Sequence, residues 1–329
     1  MLKKIQQLLL PVIKEQVESL VGKLFSPRLA QLEKRLDEIG FDMLRGRMDF
    51  RLIRLEMLQY YQDKERYGRL DPEARRILAW MQEDFFAVHA NTNRVYPLTP
   101  AEGAVPEQPQ PFALKVSPQG TYYVESNGVP VHLADNEKHA AAYWYSILAQ
   151  EAPGSPHLYI DENEESFGFP DNAVLADVGG AEGFFTAKYI HKISKAYIFE
   201  SDPHWLAMLG KTFAAYADKV EIVEGMVGDK PGEIVLDAFF KDRPKPTFVK
   251  MDVEGSEERV LRGMDAMLRD DRLPMQLAVC LYHRQEDETL FTAMLREHFS
   301  ISYSTGYYWH MPDPRPPFFR RGVLRAKRR

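Results

Sequence analysis

A chain of 329 residues with 45% apolar, 27% charged and 12% aromatic residues can bury a large core, which excludes a compositionally disordered protein and fits about two domains. The net charge of −6 argues against a general nucleic-acid binder, and no apolar run approaches the ~20 residues of a spanning helix. One cysteine, Cys280, excludes an intrachain disulfide and a cysteine zinc cluster, and fits a cytoplasmic protein. Lys3 and Lys4 precede a short apolar run that Pro11 and Lys14 interrupt, and no small-residue cleavage site follows, so no signal peptide is expected.

Residues 1–96 read as a helical region. Pro11 opens one helix, with Ile13, Val17, Leu20 and Leu24 at helical spacing. Ser26-Pro27 caps a second, in which Leu29, Leu32, Leu36 and Ile39 follow a heptad-like pattern. Asp71-Pro72 starts another. These helices form either an intramolecular bundle or an arm that makes a homo-oligomer. Residues 97–111 hold five prolines and read as a linker. Within a lead-in at 112–171, Thr121–Glu125 and Val129–Leu133 flank Ser126-Asn127-Gly128, the signature of a hairpin turn, and a helix follows from about Asp135 to Gln150.

From residue 172 to 329 strands and helices alternate, the pattern of a parallel sheet with crossover helices on both faces. The expected strands are 173–177, 195–200, 220–224, 247–252 and 276–282. Segments 300–304 and 321–326 form a closing antiparallel pair. The last fifteen residues include Arg315, Arg320, Arg321, Arg325, Lys327, Arg328 and Arg329 and no acid. They read as a solvated tail or as a contact for an anion.

The chemistry-bearing residues cluster at the carboxyl ends of these strands, where open α/β sheets bind ligands. Asp177-Val-Gly179-Gly-Ala-Glu-Gly183 is a glycine turn from strand to helix, but not the G-x-G-x-x-G of a dinucleotide site. A carboxylate at position 177 repels a pyrophosphate and suits the ammonium of an amino-acid moiety. Glu200, 23 residues on, is placed for two ribose hydroxyls, or else caps the next helix. Together they describe a nucleoside bearing a cationic amino acid, as in S-adenosylmethionine. Asp229 follows the third strand, either to accept from an adenine amino group or as part of a polar turn.

Asp177–Thr186, Tyr197–Glu200, Val249-Lys-Met-Asp-Val-Glu-Gly-Ser-Glu257 and Leu281–Arg284 resemble the FkbM-like methyltransferases over roughly residues 112–329. The resemblance implies a Rossmann-like, seven-stranded α/β methyltransferase sheet with an antiparallel last strand and S-adenosylmethionine as cofactor. It also implies methylation of hydroxyls on glycans, polyketides or related metabolites. Leu281-Tyr-His departs from it, since many relatives carry an acid there.

Asp252 and Glu254 leave the fourth strand, placed to orient an acceptor, hold the methionine ammonium or take a proton. Glu254 and Glu257 alternatively cap the following helix. His283, beyond the fifth strand, is the candidate general base, with an ordinary pKa of ~6.5. Asp252 with His283 lacks an evident third ligand, so no metal is assigned. Cys280 reads as inert core. His157, Tyr159, Phe167 and Phe169 read as acceptor-pocket walls or as packing.

The reading is thus an O-methyltransferase acting on a small-molecule or glycan acceptor, with His283, Asp252 and Glu254 catalytic. Asp177, Gly179, Gly183, Glu200, Asp229 and Asp252 hold the cofactor, and no specific nucleic acid is bound. The rivals are a nicotinamide-dependent oxidoreductase and a non-catalytic module that keeps the cofactor fold.

Overall fold

The computed structural model describes residues 114–310 and 316–329 apart from 153 and 163–165, together with 56–64, 95–98 and scattered positions between 68 and 78. The chain divides into two compact units, residues 1–60 with 84–93 and residues 61–83 with 94–329. The sheets belong to the second. Residues 56–64 are helical, whereas Leu29, Leu32, Leu36 and Ile39 and most of the expected N-terminal helices lie outside the described residues. No helix among the described residues is long and apolar enough to cross a membrane.

Three β-branched or aliphatic runs make the centre. Strands β5 (Ala173–Val178), β8 (Phe248–Met251) and β9 (Gln276–Cys280) lie side by side and parallel, with every residue of β8 and β9 buried. Such continuous burial is what a sheet covered on both faces produces. Alternate residues feed two cores: Leu175, Phe248, Ala278 and Cys280 pack on one face, and Ala176, Val178, Val249, Met251, Leu277 and Val279 on the other.

β6 (Ile193–Glu200) and β7 (Val220–Glu224) extend the parallel sheet on one side. β10 (Phe299–Tyr303) and β13 (Val323–Arg328) close the other, β13 running antiparallel to both β9 and β10. The resulting order is β10-β13-β9-β8-β5-β6-β7, the expected seven-stranded sheet. Helices α2 (Phe184–Lys188), α3 (Pro203–Thr212), α4 (Leu236–Phe239), α5 (Glu257–Arg262), α6 (Asp265–Arg269) and α7 (Asp287–Leu295) supply the crossovers.

Two small sheets flank the large one. β2 (Lys115–Val116), β3 (Tyr122–Ser126) and β4 (Val129–Ala134) form the expected hairpin, with Asn127 and Gly128 at φ 50° and 80° in its turn. Helix α1 (Glu137–Glu151) follows, capped by the Asn136 side chain. β1 (Val95–Leu98) pairs with β11 (Tyr307–His310), which pairs with β12 (Phe319–Arg320). Pro97 and Leu98, counted in the linker from sequence, therefore end a strand; the rest of that linker lies outside the described residues.

The basic C-terminal run is not a solvated tail. Arg320 and Arg325 are buried, and their guanidinium groups donate to main-chain carbonyls of Tyr282 and His283, and of Leu158 and Tyr159. Arg328 does the same for Met267, Leu268 and Leu273, and Arg329 for Arg296 and Glu297. Charge-assisted bonds to carbonyls, rather than charge on a surface, account for these residues.

The glycine turn after β5 sets how closely the two central strands meet. Gly179 has φ +79°, and a Cβ there would lie 1.8 Å from the Asp252 carbonyl oxygen. A side chain must push β5 and β8 apart. Gly179→Ala is expected to lower stability by more than the ~1–2 kcal/mol of a left-handed alanine alone. Gly128→Ala, with nothing near its Cβ, should show only that backbone cost. Urea unfolding of the two variants checks this, and equal losses would mean that the close approach carries no strain.

Candidate active site

The glycine loop is anchored from three directions. The amides of Gly179 and Gly180 both donate to the Phe199 carbonyl of β6, at 3.0 and 3.2 Å. Gly183, at φ +80°, caps α2 against Leu209 and Phe213, which a Cβ would meet at 2.7 Å. Ala181 N donates to Glu200 Oε2 at 2.9 Å, while Glu200 Oε1 accepts from the amides of Ser201 and Asp202 at 2.6 and 2.8 Å. Glu200 thus both ties the loop to β6 and caps the turn into α3, so the ribose and capping readings are not exclusive.

Asp177 departs from expectation. Its carboxylate has no exposed surface; Oδ2 accepts from Thr186 Oγ1 at 2.8 Å, and Oδ1 lies 3.2 Å from Lys250 Nζ. Lys250 also donates to the Gly179 carbonyl. The position that was to meet a ligand's ammonium instead supports the loop from beneath. The loop acid that keeps exposed surface is Glu182, which sequence reasoning passed over. Burial pushes its carboxyl up to about 7, against the pull of its own and the Phe184 amides and of Lys250. Its signal in the sequence was an acid inside a glycine turn.

Asp229 is exposed in the turn after β7, which Glu233 closes by accepting from the Lys230 amide and pairing with Arg259. Just before it, Met226 is 53% exposed, one of three large apolar side chains that are exposed among the described residues.

Asp252 is the centre of the second group. Tyr159 Oη donates to Asp252 Oδ2 at 2.7 Å, and His157 Nε2 lies 3.2 Å from the same oxygen. Tyr282 Oη is 3.3 Å from that imidazole nitrogen. Burial alone would raise the Asp252 carboxyl, but the His157 hydrogen bond and the charges of His157, Lys250 and His283 hold it well below the usual carboxylate range. Sequence placed His157 and Tyr159 beside an acceptor, and the structure brings both to Asp252. Phe167 and Phe169 do not follow. They pack on Phe248, with ring centroids 5.6 and 4.4 Å away, inside the core. Cys280 is buried as expected, its thiol pushed up by burial.

His283 Nε2 lies 3.5 Å from Asp252 Oδ1 and 3.4 Å from Glu254 Oε2. Its Nδ1 lies 2.9 Å from Glu257 Oε1, off the straight line of an ideal hydrogen bond but close enough for the carboxylate to hold the Nδ1 proton. Glu257 is fully buried and accepts from the Val253 and Gly255 amides. It is the expected structural acid. Burial lowers the His283 pKa, but Glu257, Asp252 and Glu254 outweigh it and push the imidazole up to about 9. The expected neutral-range base is therefore a cation at pH 7. Glu254 sits at φ 52°, with its side chain 91% exposed at the mouth of the group.

Residues 148–302, just under half of the chain, match the family model described as methyltransferase FkbM domain. A solved methyltransferase FkbM from Methylobacillus flagellatus KT is 22% identical with a TM-score of 0.40, over 55% of this chain and 53% of that one. The chain thus spans about half the length of that relative. A precorrin-6y C5,15-methyltransferase from Geobacter metallireducens GS-15 is 14% identical with a TM-score of 0.34, over 48% of this chain and 81% of that one. No curated protein sequence matches the chain.

Behind His283, Asp287 is buried and accepts from the Arg284 amide at 2.8 Å. Burial pushes its carboxyl up to about 7, with the Glu257 charge adding to this. An unfolded aspartate titrates at ~3.9, so the folded state takes up the proton first as pH falls. This contribution to stability is full below pH ~4 and is lost as pH rises through about 7. Asp287→Asn should flatten that limb of a stability–pH profile; parallel profiles for variant and wild type would contradict it.

Proposed function

We propose that the protein methylates a hydroxyl oxygen on a glycan, polyketide or related metabolite. The observation that carries this reading is the convergence of Asp252, Glu254 and His283 on one point beside the glycine loop. A hydroxyl sheds its proton as its oxygen bonds the methyl carbon, and a carboxylate at that point, Glu254 or Asp252, is placed to take the proton up. When bound, S-adenosylmethionine supplies an electrophilic methyl group on a sulfonium.

The residues of this chain fit that cofactor. Side-chain-free Gly179 lets the loop lie directly against the Asp252 carbonyl, and Glu200 stands at the carboxyl edge of β6, where ribose hydroxyls would meet it. The exposed side chain of Met226 offers an apolar surface to an adenine ring, with Asp229 beyond it for the amino group. Glu182, rather than the buried Asp177, is the loop acid available to an ammonium. Asp252 and Glu254 face the acceptor, and Tyr159 and His157 hold Asp252 in place.

Two measurements test the reading. Glu200→Ala should weaken S-adenosylmethionine by about 1.5–3 kcal/mol, roughly ten- to a hundredfold by calorimetry. Unchanged affinity would remove the ribose assignment. With methyl-labelled cofactor and matched panels of hydroxyl and amine acceptors, the label should appear in base-stable ethers. Transfer to amines alone would overturn O-methylation.

A further inference from the structure

We infer that Asp252 Oδ1, Glu254 Oε2 and His283 Nε2 form a binding site for one divalent first-row metal ion. Three ligand atoms from two loops lie within 4.8 Å of one another. The imidazole nitrogen is 3.5 and 3.4 Å from the two carboxylate oxygens. Ligands ~2.1 Å from one ion at tetrahedral angles stand about 3.4 Å apart, so these spacings suit a shared ion.

The cluster is more than a group of acids. His283 has a side chain only 6% exposed, and its Nε2 makes no hydrogen bond, although it faces both carboxylates. Asp252 Oδ1 is likewise buried without a hydrogen-bond donor, while Oδ2 of the same carboxylate is occupied by Tyr159 and His157. Glu257, 2.9 Å from Nδ1, holds the ring proton on the far side, so that Nε2, facing the two carboxylates, is the nitrogen that would exchange its proton for an ion. A carboxylate behind a ligating histidine is the usual way in which a metal site fixes its imidazole. Glu254, reaching in from the exposed side, is the third ligand that the sequence did not reveal.

Two carboxylates with one imidazole suit Mn2+ or Zn2+ better than Ca2+ or Cu+. Three protein ligands leave coordination positions open to an acceptor oxygen. That last role rests on the methyltransferase reading; the metal site itself does not.

The test is titration of the metal-stripped protein with Mn2+, followed by loss of the free-ion electron paramagnetic resonance signal, and with Zn2+ by calorimetry. The wild type should take up one ion per chain. Glu254→Gln, at an exposed side chain, should weaken uptake at least ~10-fold while leaving thermal unfolding of the metal-free protein unchanged. Asp252→Asn should do the same to uptake. Failure of both ions to bind in the millimolar range, or equal binding by wild type and Glu254→Gln, overturns the site. S-adenosylmethionine calorimetry on the same samples separates the two readings: cofactor binding without metal binding removes the metal site alone.

Discussion

The buried pair of Lys250 with Asp177 holds the rest of the site in register. The two residues face each other across β8 and β5, and the Lys250 ammonium also takes the Gly179 carbonyl. One cation thereby links the central strands to the first residue of the glycine loop. Taking both charges out of water is costly, so such a pair is poor evidence of net stability. Removing one partner is another matter, because the survivor is left charged and buried, at a cost of about 3–5 kcal/mol. Thr186 completes Asp177 from α2, so the helix that follows the loop is fastened to the same carboxylate.

The arginines of the C-terminal run do for the acceptor side what Lys250 does for the loop. Residues 155–160 and 282–284 carry His157, Tyr159 and His283, yet neither segment is a regular strand or helix. Arg325 of β13 donates to the carbonyls of Leu158 and Tyr159, and Arg320 of β12 to those of Tyr282 and His283. Gly322 adds to this, since a Cβ there would lie 1.8 Å from the Pro156 carbonyl oxygen. The antiparallel end of the large sheet, through Arg325, and the small β1-β11-β12 sheet, through Arg320, therefore hold the segments that carry the candidate catalytic groups.

The large sheet was legible because its strands are short apolar runs between turn residues, a local pattern. The hairpin at Asn127-Gly128 was legible for the same reason. The glycine loop and the acids at strand ends were legible because topology sends those ends to one edge. What the sequence withheld depends on partners far apart in the chain. Tyr159 and Asp252 are 93 residues apart, and Arg325 and Leu158 are 167 apart. Asp177 looked available because its signal, an acid before a glycine turn, says nothing of the lysine on the neighbouring strand. The same blindness made His283 look like an ordinary imidazole, because its pKa is set by Glu257, Asp252 and Glu254 together.

Charge along β8 is shared with the segments packed against its carboxyl end. Lys250 and Asp252 are two residues apart, so they project from the same face of the sheet. The His157 hydrogen bond, with the charges of His157, Lys250 and His283, keeps Asp252 ionised despite burial, and Tyr159 donates to the same carboxylate. Glu254 stands at the mouth, and Glu257 lies behind His283. Three acids thus stand against the cations of Lys250 and His283 in a partly dehydrated setting, where each charge acts several times more strongly than in water. The charge state of this edge is therefore set jointly by β8, by residues 155–160 and by the turn after β9, and by none of them alone.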